Sequence, residues 1–72
     1  MDWSGCEIVE VVPGKVGGVP LVRGTRVPAD QVVESLDGGE TVEEIAYNYD
    51  LQPGDILRLR VYRDTLQPAL RR

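Results

Sequence analysis

The chain has 72 residues, 12 acidic against 8 basic side chains, a net charge of −4, one cysteine and no histidine. A chain this short folds as one domain whose single core supplies only about 3–5 kcal/mol, and a lone thiol without histidine excludes a disulfide staple and an ordinary structural zinc site. No apolar run approaches ~18 residues and no charged-then-apolar leader opens the chain, so the expectation is a cytoplasmic protein with no membrane span and no cofactor, for which oligomerisation is the remaining source of added stability.

Residues 8–12 are β-branched around Glu10 and bounded by Gly5-Cys6 and Pro13-Gly14, which predicts a strand. Its apolar residues do not alternate, so both faces are expected to be covered, and Ile8, Val9 and Val11 become candidate partner contacts. Residues 13–18 form a turn-rich link and residues 19–23 a second strand. A lone two-stranded hairpin is marginal in water and must pack on helices or pair with a second chain.

The stretch 18–28 separates an extended half from a helical one. Pro20 and Pro28 each fix φ and remove a donor, and Gly24 takes positive φ cheaply within a structural turn at Arg23-Gly24-Thr25-Arg26. Arg23 and Arg26 are two of three basic residues among positions 1–57. At least one is expected to pair with a carboxylate such as Glu43 or Glu44, holding the turn on the second helix.

Three helices follow over residues 28–66, with Pro28 at the first position of the first. Ala29, Val32, Val33 and Leu36 share one face, Asp30 suits the positive end of the helix, and Gly38-Gly39 ends it. Thr41 and Glu44 carry the capping-box spacing that opens the second helix, whose apolar face is Val42, Ile45, Ala46 and Tyr49. Asp50, tolerant of the left-handed conformation, closes it. Pro53 opens a third helix that runs to about Thr65 or Leu66 and stops before Pro68. The predicted single domain, 1–72, is an extended β arm and turn (1–27), a three-helix bundle (28–66) and a basic tail (67–72).

The second and third helices have the outline of a helix-turn-helix, with Ile45, Ala46, Tyr49, Leu51, Ile56 and Leu59 at its packing positions. A DNA-reading unit needs polar groups on the outward side of the third helix. Here that side offers Gln52, Pro53, Gly54, Leu57, Arg58 and Val61, of which only Gln52 and Arg58 can read a base. Leu57 and Val61 instead form an apolar strip opposite Leu59, Tyr62 and Leu66, which calls either for a symmetric copy or for cover by the N-terminal strands. Residues 58–72 carry Arg58, Arg60, Arg63, Arg71 and Arg72 against Asp64 alone, a basic end on an acidic body. These arginines can meet an acidic partner or nucleic-acid phosphate, where they would position rather than specify.

Catalytic chemistry finds little support. Ser4, Ser35, Cys6 and the threonines have no activating base at a recognisable spacing. Residues 14–18 lack the order of a phosphate-binding loop, and Glu43-Glu44 is explained by helix capping.

Gly18-x-Pro20-x-x-x-Gly24-Thr25-Arg26-Val27-Pro28, then Gly39-Glu40-x-x-Glu43-Glu44-Ile45-Ala46-x-x-Tyr49, then Leu51-x-Pro53-x-Asp55-Ile56, resemble the bacterial family of domains of unknown function numbered 433. The resemblance spans about residues 18–63; Gly54 departs from a position commonly held by an acidic or other helix-favouring residue. It implies a mainly α, homeodomain-like trihelical fold and, for many members, a place as the antitoxin-like partner of a PIN-like ribonuclease toxin, in the manner of VapB-type antitoxins. It implies no catalytic residues. The function expected is thus a non-enzymatic, homodimeric interaction protein that binds a toxin; the alternative is a small DNA-binding autorepressor of helix-turn-helix type, binding DNA weakly or only together with its partner.

Overall fold

The structure, a computed structural model, describes residues 2–66, so Arg71 and Arg72 of the predicted tail lie outside the described residues. Two short strands, β1 (Val9–Glu10) and β2 (Leu21–Val22), precede three helices, α1 (Ala29–Asp37), α2 (Val42–Tyr49) and α3 (Pro53–Leu66). The chain is mainly α, as the periodicity predicts. The strands pair antiparallel, Val9 opposite Val22 and Glu10 opposite Leu21. The pairing is two residues long rather than five because the chain leaves the ladder on both sides. Beyond Glu10 it enters the link of residues 13–18, where Gly14, Gly17 and Gly18 all take positive φ.

Residues 20–29 form a closed loop on the hairpin. The Val22 amide donates to the Val27 carbonyl at 2.9 Å, the Thr25 amide to Val22 at 3.0 Å, and the Arg23 amide to Ile8 at 2.7 Å. Gly24 sits at φ 78°, a conformation that a Cβ would strain. Thr25 Oγ1 donates to the Val22 carbonyl at 2.8 Å and accepts from the Val27 amide at 3.0 Å. The hydroxyl thus satisfies two backbone groups that the turn would leave open.

Pro28 is the residue before α1 rather than its first, with extended φ/ψ. It offers no side-chain cap, and the Ala29 amide instead donates to the Pro20 carbonyl at 3.0 Å, so the β arm itself satisfies an orphan donor of the helix. At the other end Glu40 donates to Ser35 and Gly39 to Leu36, a Schellman arrangement with Gly39 at φ 99°. The capping box of α2 forms as its spacing predicts: Glu44 N–H to Thr41 Oγ1 at 3.1 Å and Thr41 N–H to Glu44 Oε1 at 2.9 Å. Asp50 ends α2 in the left-handed region at φ 56°.

The core lies where α3 crosses α1 and α2, and Val32, Ile45, Ile56 and Leu59 are fully buried in it. Leu21 and Val22 bury the arm against the helices. Val9 belongs to this same core, which corrects its place among the predicted partner contacts: its pairing with Val22 turns it inward. Leu66, expected on the core side of α3, is 44% exposed at the end of the helix, beyond the reach of α1 and α2.

An unpredicted anchor is Trp3. Its ring is 3% exposed, stacks on Tyr62 of α3 with centroids 5.4 Å apart, and donates its indole N–H to Asp30 Oδ1 of α1 at 2.8 Å. Tyr62 reciprocates through its hydroxyl, which donates to the Asp2 carbonyl at 3.2 Å and accepts from the Gly5 amide at 3.1 Å. Asp2 also accepts from the Ser4 amide, and that bond holds the exposed Asp2 carboxyl below its ordinary range. The first residues described therefore form a strap clamped along α3.

Candidate functional site

The outward side of α3 is the surface that the fold leaves open. Its inward side is filled by Ile56 and Leu59, with Tyr62 beside them. At 3.6 residues per turn, Gly54, Leu57, Arg58, Val61 and Thr65 fall on one stripe directly opposite. All five are exposed, Leu57 at 41% and Val61 at 61%. Nothing stands near Gly54, so the helix backbone itself is open to close approach there. The hairpin does not cover this stripe.

The strap does border it. Glu7 and Ile8 on one side and Leu57, Arg58, Val61 and Tyr62 on the other enclose an open groove of about 610 Å³, with the half-buried Cys6 thiol in its wall. Ile8 is half-buried and Val11 exposed, but Val11 lies away from this groove, against the second hollow beside Trp3 and Pro20. Of the predicted apolar contacts, Ile8, Leu57 and Val61 come together and Val9 and Val11 do not.

The arginines separate in the same way. Arg58 and Arg60 are exposed on α3 and, among the described residues, make no ion pair. Arg63, predicted as a contact for phosphate or an acidic partner, is instead occupied. Its guanidinium pairs with Asp37 at the end of α1 and with Asp64 at 2.8 Å, and its side chain is only 14% exposed. The hydrogen bond to Asp37 holds its pKa above the ordinary value against the opposing effect of burial. Gln52 is exposed at the start of α3.

The turn also differs from expectation in its partners. Arg23 reaches back along the hairpin, donating through Nε to the Glu7 carbonyl at 2.9 Å and approaching Glu10 at 3.6 Å, while Glu10 accepts from the Gly24 amide at 3.0 Å. Arg26 is exposed and has no ion pair among the described residues. Neither arginine pairs with Glu43 or Glu44, because Glu44 is committed to the cap of α2 and β1 supplies the nearer carboxylate.

A second surface escaped the sequence reading. On α2 the inward Ile45 leaves Glu43 and Tyr47 on the opposite side, four residues apart, with Asp50 just past the end of the helix, and Tyr47 is 88% exposed. The helical spacing that puts Val42, Ile45, Ala46 and half-buried Tyr49 inward leaves Tyr47 outward, and that spacing is the signal that could have found it. Among the described residues no cluster of His, Cys, Asp and Glu side chains comes together for a metal, and every buried side-chain polar atom has a hydrogen-bond partner.

Comparison with known proteins agrees with this architecture. A family described as "Protein of unknown function (DUF433)" matches residues 9–62. The uncharacterized protein y4eO of Sinorhizobium fredii (strain NBRC 101917 / NGR234) is 40% identical over 53 residues, which are 74% of this chain and 24% of that protein. A crystal structure of a DUF433 member from Anabaena variabilis ATCC 29413 superposes with a TM-score of 0.67 at 26% identity, over 88% of this chain and 62% of that one. The chain thus spans about a quarter of the first relative and less than two thirds of the second. With the matched segment running from β1 into the last turns of α3, and the three helices shared with a crystallised member, the chain belongs to the DUF433 family.

Proposed function

We propose that this protein is a non-enzymatic interaction protein, an antitoxin-like component whose partner is a PIN-like ribonuclease toxin. The observation that carries the reading is the outward face of α2, where Tyr47 stands 88% exposed between Glu43 and Asp50. An enzyme that captures RNA must attract polyanions, and an acidic surface competes for that same attraction. Tyrosine supplies a large contact at low entropic cost and is enriched among the residues that dominate interface energies. The excess of acidic over basic residues in the chain agrees with such a partner.

Co-expression with the product of an adjacent PIN-like gene tests the proposal. The expected result is a complex that survives purification and suppresses ribonuclease activity, with Tyr47→Ala weakening it while thermal stability stays within about 0.5 kcal/mol of the parent, as for other exposed sites. Glu43→Gln should weaken it at a stability cost of no more than about 1 kcal/mol, since Glu43 stands in the first turn of α2. A PIN-like partner that neither co-purifies nor loses activity sinks the reading.

One observation favours a second reading, a DNA-binding autorepressor: Gln52 just before α3, and Arg58 and Arg60 on it, are all exposed in a helix-turn-helix outline. Against it, Leu57 and Val61 occupy the stripe where a reading helix carries polar groups. Titration of the protein's own promoter DNA at two salt concentrations decides, because phosphate-driven binding strengthens steeply as salt falls.

A further inference from the structure

We infer that the groove between α3 and the N-terminal strap is filled by a second copy of this chain, the two α3 helices running antiparallel across a two-fold axis. The stripe Gly54, Leu57, Val61, Thr65 runs the length of α3 on the side away from the core, with apolar side chains at its centre and small or short ones towards its ends. Two such stripes laid antiparallel put Leu57 of each copy against Val61 of the other, and bare Gly54 opposite Thr65 lets the backbones approach.

Charge fixes the occupant as a copy of the same chain. The two-fold axis that relates antiparallel helices is perpendicular to both and lies in the plane between them. A strap that flanks α3 on its Arg58 and Tyr62 side therefore flanks the copy on that same side of the seam. Glu7 on the strap and Arg58 on the helix both line the groove, and both are exposed. In the dimer each strap carboxylate comes to the side of the seam where the other protomer's Arg58 lies, and the two Glu7 carboxylates offset the two guanidiniums that the two-fold brings near each other. Ile8 beside Glu7 extends the apolar contact of the seam. This assembly does not depend on the toxin reading, because it uses α3 and the strap and leaves the Tyr47 face of α2 free.

The test is the mass of the full chain by sedimentation equilibrium, with no other protein present, for the parent, Leu57→Glu, Glu7→Arg, Arg58→Glu and the double reversal. The parent is expected to reach twice its 8.0 kDa mass as concentration rises. Leu57→Glu, which replaces the apolar centre of the seam with two carboxylates, is expected to weaken association by roughly 100-fold or more. Each single reversal breaks two symmetric pairs and weakens it about tenfold, and the double reversal recovers most of that loss. Far-UV circular dichroism confirms that each variant is folded; should Leu57→Glu unfold, the charge reversals decide by themselves. A parent that stays monomeric to about 200 μM overturns the inference, since that is weaker than any specific dimer of use. So does a dimer that Leu57→Glu leaves intact in the folded protein, or a double reversal no tighter than either single one.

Discussion

Replacing Asp30 by alanine probes how firmly the N-terminal strap is bound into the fold. Asp30 accepts the indole N–H of Trp3 at 2.8 Å across 27 positions of sequence, and it also stands in the first turn of α1. The substitution leaves a largely buried donor without its acceptor, at about 1 kcal/mol for a partly solvated site. It also removes a carboxylate from a helix N-terminus, worth about 0.3–1 kcal/mol. Together that is about 1.3–2 kcal/mol, a quarter or more of what a core of this size supplies. The melting midpoint should fall by roughly 5–16 °C. Asp30→Asn retains an acceptor and loses only the charge, so its midpoint should fall by about 1–8 °C, some 4–8 °C less than the alanine variant's. Trp3 is the sole tryptophan, so its fluorescence follows the strap while far-UV circular dichroism follows the helices. Coincident transitions mean one cooperative unit. An alanine variant that melts within about 2 °C of the asparagine one would refute the hydrogen bond as the anchor. Fluorescence that changes well before the dichroism would show that the strap detaches without the helices.

Other expectations follow from the same geometry. Thr41→Ala should cost about 1 kcal/mol in thermal or urea unfolding, and adding Glu44→Ala should cost less than the two singles summed, because the capping box is reciprocal. Asp50→Gly, at φ 56°, should raise stability by up to about 1 kcal/mol, since glycine adopts the left-handed region without the Cβ clash. Arg23→Ala should cost about 0.5–1 kcal/mol through the lost contacts to Glu7 and Glu10, whereas Arg26→Ala should stay within about 0.5 kcal/mol of the parent. The reverse order would place Arg26, not Arg23, as the tie that holds the turn.

What could be read from sequence was what a few neighbouring residues decide. The capping box at Thr41 and Glu44, the left-handed Asp50, the positive φ of Gly24 and the inward faces of all three helices each depend on positions within two turns of one another. What escaped depends on distant pairs. Trp3 stacks on Tyr62 and bonds Asp30, partners fixed only once α1 and α3 have packed. Arg63 falls on the same helical stripe as Ile56 and Leu59, and only the arrival of the C-terminal end of α1 gives it Asp37. The non-alternating strand calls for cover on both faces and makes Val9 a candidate partner contact, whereas its pairing with Val22 supplies the cover within the chain. The apolar strip at Leu57 and Val61 was legible because both residues lie outside the inward spacing of their own helix.

The division of labour along the chain bears on what the groove is for. The family-matched segment, 9–62, contains the hairpin, α1, α2 and most of α3, together with Leu57, Arg58, Val61 and Tyr62. The opposite wall, including Glu7 and Ile8, lies N-terminal to that segment and is clamped by Trp3 and Tyr62. The core residues that set the fold, Ile45, Ile56 and Leu59 among them, do not line the groove. Substitution at exposed position 7 can therefore alter the charge of one wall without disturbing the packing of the helices, whereas Ile8 packs in part against the core. In the proposed dimer the charge at position 7 then sets how tightly the second copy seats, because like charge facing Arg58 is rejected more strongly than the opposite charge is rewarded.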